Sequence, residues 1–297
     1  MKLSAADNLS LLFIGGLAGL TLACHASMLR VAGLVLVVLV VLALAILGAS
    51  WWGSRSTVGA VVHSFLPALL LPVLFNTMGP IIDCVSPGRW DPTFSALDAR
   101  VFGTAALHWH QAFGRPWWLT DFTYLMYVSY YALPLVLGVI LYQKGKRGQF
   151  EEFVFTVVAC FYLTYAGYLV FPTVGPRVPL EAEATVLGGG MISQGIRAFL
   201  HFAERTTTDA FPSGHTAVAL VCLFLGWCML PSVRVPLVLV VAGIIFTTVY
   251  LHYHYVVDVV AGVVLGVVTP YLARALRQLL EPRLVRRWVA QLLSYQR

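Results

Sequence analysis

The sequence predicts an all-α, polytopic membrane protein of about eight transmembrane helices, and three observations carry that reading. Of the 297 residues, 59% are hydrophobic and only 11% are charged, against roughly 25% charged in an ordinary soluble domain. Mean hydropathy is +0.83, more apolar surface than a soluble chain of this length could hide. The apolar residues also fall in runs nearly free of charge, and about 20 helical residues suffice to cross a bilayer. The net charge of +6 arises from Arg and Lys scattered between the runs. No separate basic domain stands behind it, which disfavours nucleic-acid binding.

Taken in order, the runs fall at about 9–28, 31–49, 57–78, 121–142, 152–172, 212–231, 235–252 and 255–273. The first, preceded by Lys2, has the look of a signal peptide, but it continues almost directly into the second and lacks a clear small-residue cleavage site, so it reads as a retained helix. The eighth run has to include Asp258. Two longer connections, about 79–120 and 173–211, are long enough for helices lying on the membrane, and the first carries Trp90, Trp109, Trp117 and Trp118, as in an interfacial belt. Of the five cysteines, Cys24, Cys160, Cys222 and Cys228 lie inside apolar runs and read as small packing residues; Cys84 lies outside them.

An even number of spans puts both termini on one side. The tail carries Arg274, Arg277, Arg283, Arg286, Arg287 and Arg297, and the same side holds Lys2, Arg55, Lys144, Lys146, Arg147 and Arg234. That side is expected to be cytoplasmic, in a cell (inner) membrane, with the two long connections facing the periplasm or exterior. From Pro282 onward, apolar residues at helical spacing alternate with Arg, as in a tail lying on anionic lipid.

Three clusters that could do chemistry share the outer ends of their helices. In Pro212-Ser213-Gly214-His215, Pro, Ser and Gly open a helix, where unpaired N–H groups and the dipole favour an anion. His215 is close enough to give a proton to a leaving oxygen; the bland alternative is a helix cap followed by an interfacial histidine. In His252-Tyr253-His254-Tyr255-Val256-Val257-Asp258, His254 and Asp258 share a helical face if the segment is helical. The carboxylate would then hold one imidazole N–H while the other nitrogen attacks, although a purely structural pair is the competing reading. His252 reads as a hydrogen-bonding or substrate-contacting residue. In Phe171-Pro172-Thr173-Val174-Gly175-Pro176-Arg177, Pro and Gly end a helix and Arg177 presents a planar fork suited to phosphate, or only a snorkelling anchor. No Cys or carboxylate completes a metal-ligand set at diagnostic spacing, so neither a metal nor another cofactor is expected.

Together, Pro212-Ser213-Gly214-His215 and His254-x-x-x-Asp258 resemble the type 2 phosphatidic acid phosphatase (PAP2) superfamily. The resemblance implies a six-helix catalytic core over about 56–273, preceded by two extra helices in 1–55 and followed by the basic tail 274–297. It implies a metal-independent phosphohistidine mechanism on a membrane lipid: His254 attacks phosphorus, Asp258 orients and charge-stabilises it, and His215 protonates the leaving oxygen. Arg177, Ser213 and the Gly214 N–H would hold the phosphoryl oxygens.

Two departures matter. The family's first motif, Lys-x6-Arg-Pro, has Val170 at its Lys position and Pro176 before Arg177, and Thr247-Thr248 replaces the Ser-Arg that opens the third motif. Such losses are similar to those of the inositol phosphorylceramide synthase branch, as are Leu97-Asp98-Ala99-Arg100 and Thr120-Asp121-Phe122 with Tyr127-x-Ser129-Tyr130-Tyr131. Arg89, Arg100, His108 and His110 are candidates to replace the lost charge. Fewer cations favour a singly charged phosphodiester donor and transfer to a lipid hydroxyl over hydrolysis, by a small margin. A noncatalytic transporter or assembly partner that keeps the fold is the competing class, against which stands the absence of an evident internal repeat.

Overall fold

The computed structural model describes residues 3–28, 30–103, 105–177 and 186–280. Those residues are helical with no strand among them. Among the described residues, seven helical segments are long and apolar enough to span a membrane. The first two are α1 (Ala5–Ala23) and α2 (Ala32–Gly53). The third, Thr57–Val85, consists of α3 (Thr57–Leu69) and α4 (Leu71–Val85). Their junction at Leu70 lies between Pro67 and Pro72, where a missing N–H and ring crowding interrupt the helix. α5 (Asp91–Phe102) and α6 (Ala105–Phe113) occupy the first long connection, followed by the spans α7 (Trp117–Gln143) and α8 (Arg147–Val170).

In the second connection lies α9 (Met191–Ala203); then come α10 (Gly214–Met229), α11 (Arg234–Tyr250) and α12 (Val256–Leu280). The expected eight spans thus appear as seven long helices plus α10, a shorter apolar helix. α12 also runs on past 273, so Arg274 and Arg277, read from sequence as tail, are helical and meet Glu152 at 3.6 Å and Glu151 at 3.3 Å on α8. The tail from 281 onward and Lys2 lie outside the described residues.

α10 is the hub, packed against α7, α8, α11 and α12. Its contact with α12 is made close by glycine: a Cβ on Gly262 would lie 2.6 Å from the Ser213 carbonyl oxygen, and one on Gly266 would lie 2.8 Å from that of Ala217. Small residues one turn apart let two backbones touch, the usual route to tight helix pairing where lipid removes the hydrophobic drive. The N-terminal pair adds to this body, with α1 against α8 and α4 and α2 against α1 and α3. Asp7 fastens α1 at its start: its carboxylate accepts from the Ser4 N–H at 2.7 Å, completing a capping box, and lies 2.7 Å from His63 Nε2 on α3. Of the expected tryptophan belt, Trp117 and Trp118 lie outermost, whereas Trp109 is half-buried and stacks on Phe246 at 5.0 Å.

Candidate active site

The starts of α10 and α12 are pinned to each other. Ser213 is the N-cap of α10, its Oγ accepting from the Thr216 N–H at 3.3 Å, while its own N–H donates to the Asp258 carbonyl at 3.0 Å. His215, in the first turn of α10, lies with ring centroids 4.2 Å from Tyr127 and 4.0 Å from Tyr130. Its Nε2 is buried with no hydrogen-bond partner among the described residues, a polar atom left available in an otherwise packed setting.

His254 is carried by a turn instead of a helix. α11 ends in a Schellman motif: the His252 N–H donates to the Val249 carbonyl, the Tyr253 N–H to that of Thr248, and His252 takes the left-handed conformation at φ 60°. The Thr248 carbonyl also accepts the His254 N–H at 3.0 Å. His252 therefore turns the chain, and its ring lies 4.6 Å from that of His110. His254 itself is almost fully buried, with Nδ1 2.9 Å from the Ala210 carbonyl oxygen. A carbonyl only accepts, so Nδ1 bears the hydrogen and Nε2 the lone pair.

This corrects the expected Asp–His arrangement. α12 begins at Val256, so His254 lies ahead of it, and the Asp258 carboxylate is 3.6 Å from Nδ1, a charged neighbour outside hydrogen-bond range. Its Oδ2 instead accepts the Tyr255 N–H at 2.9 Å, the capping position of the helix. The rings of His215 and His254 stand 5.8 Å apart.

Two further carboxylates hold the surrounding loops. Asp98 on α5 accepts the Val257 N–H at 2.9 Å and so caps α12; burial raises its pKa, opposed by the N–H groups of Val257 and Val256. Asp91 accepts from Val174 and Gly175 at 2.9–3.1 Å, fixing the loop that ends in Arg177. Gly175, at φ 85°, brings that loop against the Tyr253 carbonyl, where a Cβ would sit 2.5 Å away.

Arg177 donates from Nη2 to Asp209 at 2.6 Å and lies over the Tyr253 ring. Burial works against its charge, but Asp209 and Glu204 outweigh that and hold its pKa above the ordinary value. Glu204 accepts from the Tyr131 hydroxyl. Burial, reinforced by Asp209, raises its pKa to about 6.

Neither Glu204 nor Asp209 is among the residues the sequence singles out. They sit in a Thr-rich stretch of the second long connection, Glu204 to Asp209, and only the fold turns them inward. Beside these groups lies a cavity of about 330 Å³ whose lining includes His215, Glu204 and Asp209.

The remaining sequence candidates lie elsewhere in the network. Arg89 forms an exposed pair with Asp83 at 2.8 Å, Arg100 is exposed in the last turn of α5, and His108 is exposed on α6. His110 lies 2.9 Å from the Tyr250 carbonyl through Nε2; burial lowers its pKa, and Arg115 adds to the effect.

Comparison with known proteins places these residues in a lineage. The PAP2 superfamily model matches residues 92–272, from α5 through most of α12. A phosphoinositol dihydroceramide synthase of Bacteroides thetaiotaomicron is 27% identical over 163 residues, 50% of this chain and 53% of the relative. A PA-phosphatase related-family protein of Dictyostelium discoideum is 26% identical over 164 residues, 48% of this chain and 30% of the relative. The chain thus spans about half or less of the length of these curated relatives. No solved structure matches it. The family match covers well over half of a chain whose two pinned helix starts carry the Pro-Ser-Gly-His and His-x3-Asp segments, and the chain belongs to the PAP2 superfamily.

Proposed function

We propose that the protein is an integral-membrane lipid phosphoryl-transfer enzyme that works through a phosphohistidine on His254, moving a phospho-headgroup from a phospholipid to a lipid hydroxyl. The observation that carries the reading is the hydrogen bond from Nδ1 to the Ala210 carbonyl, which leaves the Nε2 lone pair beside His215. In the first step Nε2 attacks phosphorus, the P–O bond to the leaving diacylglycerol breaks, and His215 gives its proton to the departing oxygen. In the second, a hydroxyl oxygen attacks phosphorus, the P–N bond breaks and the hydroxyl proton passes to His215.

Asp258 stabilises the imidazolium side of this chemistry as a charge at 3.6 Å. Arg177, Ser213 and the Gly214 N–H hold the phosphoryl oxygens, an arrangement of positioning and charge neutralisation that asks for no metal. Arg177 is already half-committed to Asp209, with Glu204 nearby. So weak a net positive charge suits a monoanionic phosphodiester better than a phosphomonoester dianion, and favours transfer over hydrolysis; the named relatives include both a synthase and a phosphatase-related protein.

Lys144, Lys146 and Arg147 lie at the α7–α8 turn and Arg234 at the start of α11, the ends of their helices away from His215 and His254. By the positive-inside rule those ends are cytoplasmic and the site faces the periplasm or exterior, open to lipid of the outer leaflet.

Purified protein is given phosphatidic acid in one assay and phosphatidylinositol with ceramide or diacylglycerol in another, each beside His254→Ala. A new phosphorylated lipid in the second, absent with His254→Ala, is expected. Phosphate release from phosphatidic acid alone would make it a phosphatase, and equal activity in the variant would remove the mechanism.

A further inference from the structure

Cys24 and Cys84 are far apart in the sequence and touch in the fold. By sequence Cys24 lies within an apolar run, but α1 ends at Ala23 and Cys24 is its C-cap, its N–H donating to the Leu20 carbonyl at 2.9 Å. Cys84 stands one residue from the end of α4. Its Sγ lies 3.9 Å from the Cys24 carbonyl oxygen, and the two side chains are in hydrogen-bond contact. Both are half-buried thiols. Thiols in such contact reach the sulfur–sulfur bond length of about 2.05 Å by side-chain rotation.

The pair lies at the same end of the helical body as the candidate site. Just beyond Cys84, the Ser86 hydroxyl donates to the Leu169 carbonyl at 2.8 Å and the Trp90 N–H to that of Pro172 at 3.0 Å, both beside the loop that ends in Arg177. The other three cysteines are placed differently: Cys160 and Cys222 are fully buried on α8 and α10, and Cys228 is exposed at the opposite end of α10. With the site facing the periplasm or exterior, Cys24 and Cys84 stand on the side where disulfides form and persist.

α1 is fastened at its start by Asp7 to His63, and midway by Tyr162, whose hydroxyl donates to Ser10 Oγ at 2.8 Å and whose ring stacks on Phe13 at 4.2 Å. The thiols lie at its far end. We propose that Cys24 and Cys84 are a modification site, oxidised to a disulfide that clamps the outer end of α1 to α4. The inference rests on the outward orientation and is independent of phosphoryl transfer. Each thiol gives up its hydrogen and one bond forms between the two Sγ atoms. Two electrons and two protons pass to an external disulfide oxidant, which is reduced to two thiols. The bond closes a loop containing α2 and α3, and a cross-link over so long a segment restricts the unfolded chain far more than the folded one.

Cells expressing the full chain are quenched in acid, dissolved in denaturing detergent and treated with PEG-maleimide, with and without prior reduction. Of the five cysteines, three are expected to react without reduction and all five after it. Cys24→Ser and Cys84→Ser should each show the four that remain under both conditions. Reductant should also lower the unfolding temperature of the purified wild type by about 5 °C or more and leave that of either variant unchanged. The substitutions lie on different elements, so misfolding of one variant leaves the other as a test.

Protein that is fully reduced in cells, yet loses two reactive thiols when the purified chain meets oxidised glutathione, would retain the pair and overturn the outward orientation. Five reactive thiols under both conditions, or a wild-type unfolding temperature indifferent to reductant, would overturn the proposal.

Discussion

Gly262→Ala adds one methyl group, and the geometry fixes both its sign and its consequence. In the middle of a helix the change ordinarily stabilises, by roughly 0.5–1 kcal/mol, because alanine loses less backbone freedom on folding. At Gly262 the new Cβ would stand 2.6 Å from the Ser213 carbonyl oxygen and 2.9 Å from Thr216 Cβ, against 3.4 Å for ordinary contact. Backbone cannot rotate away, so α10 and α12 must separate by a large part of an ångström at their starts. Overpacking of this kind costs about 1–3 kcal/mol, enough to reverse the propensity gain.

His215 rides on α10 and His254 is set just ahead of α12, so the same separation misplaces the proposed nucleophile and acid. A 1 Å error in such geometry can cost about a hundredfold in rate, and a fall in kcat of tenfold or more is expected. Gly195→Ala on α9, where a Cβ meets nothing within 4 Å, is the matched control and should be neutral or stabilising. Thermal unfolding in detergent and turnover of the same preparations give the two readouts. A Gly262→Ala protein as stable and active as the wild type would refute the close-contact argument.

Three other outcomes follow from the same geometry. His215→Ala should abolish turnover of lipid donors, whose alkoxides leave poorly, while sparing donor binding and much of the turnover of an activated aryl phosphodiester; kcat and Kd measured for both donors check this. Asp98→Asn weakens the carboxylate that caps α12 and should lower stability by about 0.5–2 kcal/mol, with kcat reduced more than donor KM is raised, as expected of a positioning residue.

Glu204 has its pKa raised from 4.5 to about 6, so between those values the folded chain holds a proton that the unfolded chain has lost. Stability from this group is present below 4.5 and lost as pH rises through 6. Glu204→Gln should gain in unfolding temperature relative to the wild type as pH is raised from 4.5 to 7, and a constant difference across that range would contradict the burial of this carboxyl.

The spans were legible because bilayer crossing imposes length and apolarity on the chain itself: six of the eight stand within about five residues of their runs, while the third and the last continue seven residues further, to Val85 and Leu280. Pro212 to His215 was legible for a similar reason, since a helix start is a local event written in Pro, Ser and Gly. His254 and Asp258 do stand together, 3.6 Å apart, but by a turn and not along a helix: a spacing of four implies a shared helical face only inside a helix, and the Schellman turn at His252 delays the helix to Val256.

Asp91, Asp98, Asp209 and Glu204 act on partners far along the chain, Asp98 on Val257 and Glu204 on Tyr131. No periodicity records such pairings. Arg89 and Arg100 illustrate the converse: a cation in the right connection looks available until the fold turns it outward.

Phosphoryl transfer as proposed passes through a covalent bond between phosphorus and His254. Donor phospholipid labelled with ³²P in its headgroup is mixed with the enzyme in the absence of acceptor, quenched in base to preserve a phosphoramidate, and the labelled peptide is sequenced. An acid-labile label is expected on the peptide containing His254, chased by added lipid alcohol and absent in His254→Ala. Undiminished turnover by His254→Ala, or label on another residue, would contradict it.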